Sequence, residues 1–326
     1  MKTEEVRDIL SRFPRTNISV LPTPLHRLEN VSNALNANVY CKRDDLTGFA
    51  FGGNKTRKLD FLIAEALENG CDTLITMGSL QSNFCRMAAG AAVSRGMEAH
   101  LVLGGKEPDR ITGNLLVDHL LGANIHIVNT MNWNKWKEAA AEIERQLVAR
   151  GKKVYFLPVG GSVPVGVLGY IAGFLEIMED CRRLGLEIDK IFLADGSLGT
   201  HAGLLVGSSL CEWGGEIVGI SVAKKREAAV AGLQSLCRDT LEHLGLDVEL
   251  GPAIVDDSYI GKGYGSHTEA GGEAIRLFSR LDGVFLDDVY TGKAAAGLIG
   301  HIRGGRVARD TNVLFLHTGG NVELFA

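Results

Sequence analysis

The sequence predicts an α/β protein built on open parallel sheets. Short runs rich in β-branched residues alternate with helix-period patterns, at intervals that suit βαβ units and not a β-sandwich. The strand ends are rich in glycine and carry the unusual polar residues of the chain. Ligands of open parallel sheets bind beyond the carboxyl ends of the strands, so those ends are where chemistry is expected.

The first predicted strand is Asn38 to Asp45, and it leads into Gly52-Gly53-Asn54-Lys55-Thr56-Arg57-Lys58-Leu59. Two glycines let the backbone turn sharply before a helix begins, which puts Lys55 at a strand-to-helix junction. A solvated charge is the plain reading of such a lysine; the sharper one is the amine that forms Schiff bases. Gly48 to Thr56 imitates a phosphate-binding P-loop, but Asn54 interrupts the contiguous Gly-Lys-Ser/Thr that this motif needs. The following helix sets Leu59, Leu62, Ile63, Ala66 and Leu67 on a core face, with Asp60, Glu65 and Glu68 opposite and Gly70 at its end.

A strand from Thr73 to Met77 and a polar turn, Gly78 to Asn83, precede a helix over Phe84 to Ser94. Helix-start amides with Gln81, Ser82 and Asn83 suit a carboxylate, while capping by Ser82 or Asn83 explains the same residues without a ligand. Strands follow at Ala99 to Leu103, Asn124 to Val128, Lys153 to Pro158 and Lys190 to Ala194. The helix Trp133 to Arg150 is read with Trp133, Trp136 and Leu147 as packing residues. After Ala194, the small-residue turn Asp195-Gly196-Ser197-Leu198-Gly199-Thr200 opens a helix and suits a single phosphate, although tight helix-sheet packing explains its glycines equally well. The last strands are Glu216 to Val222, Val284 to Asp287 and Asn312 to Leu316; Tyr290 and Thr291 follow one of them and His317-Thr318-Gly319-Gly320 another.

At 326 residues, with 45% apolar and 22% charged side chains, the chain can bury a substantial core and divide in two. A net charge of -5 and a pI near 6.0 argue against nucleic acid or an anionic membrane as partner. Six cysteines without Cys-x-x-Cys pairing, or histidines at ligand spacing, indicate neither a metal site nor a disulfide framework. The charged N-terminus and the lack of an eighteen-residue apolar run predict a cytoplasmic protein.

An amine for a Schiff base, an anion loop and surrounding hydroxyls together describe the needs of pyridoxal phosphate. Lys42-Arg43-Asp44-Asp45-Leu46-Thr47, Gly53-Asn54-Lys55-Thr56-Arg57-Lys58-Leu59, Gln81-Ser82-Asn83, Gly196-Ser197-Leu198-Gly199-Thr200, Val289-Tyr290-Thr291-Gly292-Lys293 and His317-Thr318-Gly319-Gly320 resemble, in that order, the D-cysteine desulfhydrase and 1-aminocyclopropane-1-carboxylate deaminase family. The resemblance runs across nearly the whole chain. It implies a tryptophan synthase β-like (fold type II) architecture of two open twisted parallel-sheet domains. Residues 1–57 and 163–326 would form the larger, and 58–162 a smaller domain closing over the site. It also implies a homodimer working in amino-acid catabolism.

By motif, Lys55 would carry the cofactor, Asn83 would bond its ring oxygen, Lys58 with Gly196, Ser197, Leu198, Gly199 and Thr200 would hold its phosphate, and Thr318 would face its pyridine nitrogen. Gln81, Ser82 and Asn83 would meet the substrate carboxylate, with Tyr264, Tyr290 and Thr291 near the reacting part. Lys55, Ser82, Tyr264 and Tyr290 are the expected catalytic residues. The deaminase pattern places Glu after the tyrosine and Leu in the last motif, where this chain has Thr291 and Thr318. That favours elimination on D-cysteine. A 1-aminocyclopropane-1-carboxylate deaminase, an L-cysteate sulfo-lyase and a noncatalytic ligand-binding α/β protein are the alternatives. Two residues depart from the desulfhydrase pattern: Phe84 stands where histidine is usual, and Asp195 where a small residue is.

Overall fold

The computed structural model describes residues 1–326 and contains ten strands in two sheets. The strands are β1 (Leu25–Arg27), β2 (Asn38–Lys42), β3 (Thr73–Ser79), β4 (Glu98–Gly104), β5 (Asn124–Val128), β6 (Val154–Leu157), β7 (Lys190–Asp195), β8 (Glu216–Ser221), β9 (Ile254–Asp256) and β10 (Asn312–Leu316). A six-stranded sheet has the order β1-β2-β10-β7-β8-β9 and a four-stranded sheet the order β5-β4-β3-β6. Every pairing is parallel except the edge pair β1 and β2. The helices are α1 (Thr3–Leu10), α2 (Glu29–Leu35), α3 (Lys55–Glu68), α4 (Asn83–Val93), α5 (Gly113–Leu120), α6 (Trp133–Ala149), α7 (Pro164–Leu184), α8 (Gly199–Leu210), α9 (Arg226–Leu244), α10 (Glu269–Asp282) and α11 (Thr291–Arg303). None is long and apolar enough to cross a membrane.

Alternation along the strands sends side chains to two faces, and each sheet is buried on both. On β7, Ile191 and Leu193 join the core beneath α7, α8 and α9, while Phe192 and Ala194 join the core beneath α2, α10 and α11. On β3, Leu74 packs with α3 and α4, while Ile75 and Met77 pack with α6. These cores hold the strand ends still, and the strand ends carry the site.

Where the structure differs from the sequence-based expectations, a local reason is visible. β2 stops at Lys42 because Arg43 turns to grip Asp45 (2.8 and 2.7 Å) and Asp44 enters a 3-10 turn. Val284–Asp287 alternates like a strand, with Val284 and Leu286 buried and Phe285 exposed, but it pairs with no sheet. Its Phe285 carbonyl accepts instead from His317 Nε2 at 2.8 Å. Asp60 is buried, not on a solvated face, because it accepts the Ile18 amide at 2.6 Å. Trp133 is 40% exposed at a cavity rim and is no core residue, unlike Trp136 and Leu147. The helices α1 and α2 and the short edge strands β1 and β9 were not legible from pattern.

A buried ionic cluster pins the start of α3 to α7. Arg57 grips Asp44 with two bonds (2.7 and 2.8 Å) and Glu176 with two more (2.9 Å each). Lys42 binds Asp180 and Glu176 (2.6 Å each), and the Tyr170 hydroxyl donates to Asp44 at 2.5 Å. Burial alone would lower the pKa of Arg57, but Asp44 and Glu176 more than offset it and hold the guanidinium charged.

Candidate active site

Beyond the carboxyl ends of β3, β7 and β10 lies a cavity of about 680 Å³. The turn from β2 reaches it through Gly52, which takes φ +68° and lies so near the Asp45 carbonyl that a Cβ would approach within 2.1 Å. The Asn54 amide donates to the Thr318 carbonyl at 2.9 Å, which ties this turn to the end of β10. Lys55 then projects into the cavity, with its Nζ 3.1 Å from Asn54 Oδ1. Burial pushes its amine down to about 8, with Asp287 and Glu323 pulling the other way.

Three residues on, and on the same face of α3, Lys58 is fully buried. It donates to the Gly160 carbonyl (2.9 Å) and to Ser162 Oγ (3.1 Å) and forms no salt bridge. Burial, with Lys55 adding to it, drives its pKa well below the usual lysine value. A Cβ on Gly199 would come within 2.3 Å of this amine, so Lys58 abuts the first residue of α8. That helix start has no side-chain cap, and Leu198 before it adopts φ +71°. A buried amine lacking a counter-charge, set against an uncapped helix N-terminus, is the environment a phosphate completes.

Asp195, expected to oppose an anion there, is turned away: Oδ2 lies 2.7 Å from His201 Nδ1, and the carboxyl packs against Gly219. Thr200 Oγ1 accepts from Asn54 Nδ2 at 2.8 Å, which joins the phosphate-type loop to the lysine turn. Gly196, Ser197, Leu198 and Thr200 all line the cavity.

At the end of β3, Ser82 both lines the cavity and caps α4, its Oγ accepting the Cys85 amide at 3.2 Å. The two readings of this residue are compatible. Asn83 Oδ1 accepts from Asn114 Nδ2 (3.0 Å) and Arg86 Nη2 (3.3 Å), which leaves its Nδ2 for a ligand. Gln81 does not line the cavity; its Oε1 accepts the Asn114 amide at 2.7 Å and its Nε2 donates to the Thr112 carbonyl at 3.2 Å. Phe84 is buried in the cavity wall, against Gly161.

Tyr264 and Tyr290 also line the cavity, with their hydroxyls 2.5 Å apart. Burial, and then Tyr264 itself, keeps the Tyr290 phenol protonated far above its usual range. Thr291 does not reach the cavity: Oγ1 donates to Asp287 Oδ1 at 2.5 Å, and the residue is fully buried at the start of α11. Thr318 does reach it, and its hydroxyl has no hydrogen-bond partner within the protein. Sequence reasoning missed Asn114 and Ser162, which orient Asn83 and Lys58. Neither stands in a motif with chemistry of its own; only the meeting of distant segments gives them a task.

A family model described as pyridoxal-phosphate dependent enzyme matches residues 17–319. A Pyrococcus abyssi protein provisionally named 1-aminocyclopropane-1-carboxylate deaminase is 41% identical over 323 residues, covering 98% of this chain and 96% of the relative. A D-cysteine desulfhydrase of Serratia proteamaculans is 38% identical over 322 residues, with 97% of each chain covered. A solved structure titled as an ACC deaminase homologue superimposes with a TM-score of 0.92 at 37% identity, covering 98% of this chain and 96% of the other. The open parallel sheets fit what the comparisons show: the chain belongs to the pyridoxal-phosphate dependent enzymes of fold type II, in the group whose relatives are named as D-cysteine desulfhydrases and 1-aminocyclopropane-1-carboxylate deaminases.

Proposed function

We propose that the protein catalyses α,β-elimination on a small amino acid, with D-cysteine as substrate: D-cysteine and water give pyruvate, hydrogen sulfide and ammonia. The observation that carries the choice is Thr318, a neutral hydroxyl free to face the cavity, together with the lack of any carboxylate aimed inward. Asp195 is the sole acidic lining residue, and His201 holds it. Ring opening of a cyclopropane amino acid would be helped by a carboxylate near the pyridine, and Thr291 is consumed by Asp287.

When bound, pyridoxal phosphate supplies a conjugated system that spreads negative charge from Cα. Lys58 and the Gly196 to Thr200 loop fit its phosphate, Asn83 Nδ2 its ring oxygen and Thr318 its pyridine nitrogen. Ser82 and the first amides of α4 receive the substrate carboxylate. Lys55, with an amine poised near 8, removes the α-proton and holds it. The Tyr264 and Tyr290 hydroxyls are both protonated and hydrogen-bonded to each other, and one of them gives its proton to the departing sulfur. Gln81 and Thr291 act at one remove, by fixing Asn114 and Asp287.

A sulfide-and-pyruvate assay on the cofactor-loaded protein, with D-cysteine, L-cysteine, 1-aminocyclopropane-1-carboxylate and L-cysteate side by side, tests the reading. Equimolar sulfide and pyruvate from D-cysteine is expected. Turnover of the cyclopropane acid alone would place the chain with its Pyrococcus relative. A sulfonate substrate is less well served, because of Arg86, Lys224 and Lys225 only Lys224 lines the cavity. The same reading carries a cytoplasmic homodimer of amino-acid catabolism, with 58–162 as a domain that closes over the rest. Sedimentation of the holoenzyme tests the dimer.

A further inference from the structure

Behind the two tyrosines lies a pair of carboxyls that the reaction above does not use. Asp287 is fully buried, and it accepts the amides of Val289 (2.9 Å), Tyr290 (2.7 Å) and Thr291 (2.9 Å) as well as the Thr291 hydroxyl. Its Oδ1 packs so closely on Gly320 that a Cβ there would come within 2.4 Å. Gly320 opens the 3-10 turn Asn321–Phe325, and from that turn Glu323 brings a second carboxyl within hydrogen-bonding reach of Asp287. Glu323 Oε2 is buried and has no partner.

Two ionised carboxyls at that separation would repel, and sharing a proton removes the conflict. Four donors already point at Asp287 and none at Glu323 Oε2, so Glu323 is the member that carries the proton. We propose that protonated Glu323 donates to Asp287, and that this pair is a positioning device: it fastens the turn bearing Tyr290 to the turn bearing Thr318 and so aims the Tyr290 hydroxyl at Tyr264. Burial, then Asp287, pushes Glu323 up to about 10. The other groups facing it are Asp288 beside Asp287, Arg86 from α4, Lys55 from α3 and the hydroxyls of Tyr264 and Tyr290. Asp118 of α5 faces the same Arg86. The inference rests on the proposed reaction only where activity is measured.

The test compares the holoenzyme with Glu323→Gln and Glu323→Ala. Difference infrared spectra near pH 8 should show a protonated-carboxyl band in the wild type that Glu323→Gln removes; no such band would overturn the proposal. Glu323 has a raised folded pKa, so its contribution to stability is complete below its ordinary value of 4.5 and is lost as pH rises toward about 10. The Tm of Glu323→Gln should therefore gain on the wild type between about pH 5 and 9, and a constant difference would count against it. With substrate, Glu323→Ala should lose about 10–100-fold in kcat, while the amide of Glu323→Gln, still able to donate to Asp287, should restore most of it. Equal losses in both variants would refute a proton-donating brace. The infrared and thermal arms need no substrate, so a wrong choice of D-cysteine leaves them untouched.

Discussion

Arg57 and Lys58 are consecutive, cationic and buried at the start of one helix, yet their surroundings are opposite. Arg57 meets two carboxylates with four hydrogen bonds, whereas Lys58 meets a carbonyl and a hydroxyl and no negative charge. Helical geometry separates them: Lys55 lines the cavity, Lys58 on the same face of α3 abuts the start of α8, and Arg57 looks toward α7. A buried charge whose partners are all in the protein is architecture. One whose partners are missing marks where a ligand completes the electrostatics.

The sharpest break on the cavity face is Lys55→Ala. It should abolish the visible absorbance of lysine-bound cofactor and lower kcat by roughly 10³–10⁴-fold, since it removes both the covalent anchor and the base. Retained turnover within about tenfold of the wild type would mean that the cavity lysine is not the reacting group.

On the other face, Arg57→Met should leave activity per folded molecule nearly intact but cost about 3–5 kcal/mol of stability, because Asp44 and Glu176 would stay buried without their cation. Denaturant titration measures it. Lys58→Met should do the reverse, with the cofactor-free protein no less stable than the wild type. Cofactor Kd should rise about 10–100-fold, the worth of one charge-assisted hydrogen bond. Two variants with the same stability loss would erase the distinction between the faces.

Much of this site was legible in the sequence because strand ends announce themselves. Glycine runs and short polar motifs named Lys55, Lys58, Ser82, Asn83, the Gly196 to Thr200 loop, Tyr264, Tyr290 and Thr318, and the structure brings these around one cavity or, for Lys58, against its anion loop. The lines it could not read are those in which a polar side chain is claimed by a distant segment. Gln81 and Thr291 look like ligands in one dimension, but Asn114 and Asp287 take their hydrogen bonds. The strand-like pattern of Val284 to Asp287 fails for a related reason. Alternation reports burial on one side, and here the burial comes from packing beside β10 without a partner strand.

The mildest test of the two faces is the pH dependence of stability in the cofactor-free protein. Lys58 has a folded pKa well below its ordinary 10.5, so the stability it contributes is complete above 10.5 and lost as pH falls through the folded value. Arg57 is shifted upward and stays charged in both states, so it adds no such slope. Lowering the pH from about 9 to 6 should therefore cost the wild type more Tm than it costs Lys58→Met, by about 2–4 °C for each kcal/mol involved. Bound cofactor should flatten the difference, because its phosphate restores a reason for Lys58 to be charged. A slope identical in the two proteins, with and without cofactor, would mean that Lys58 is already neutralised by the chain itself and that the missing partner is not an anion.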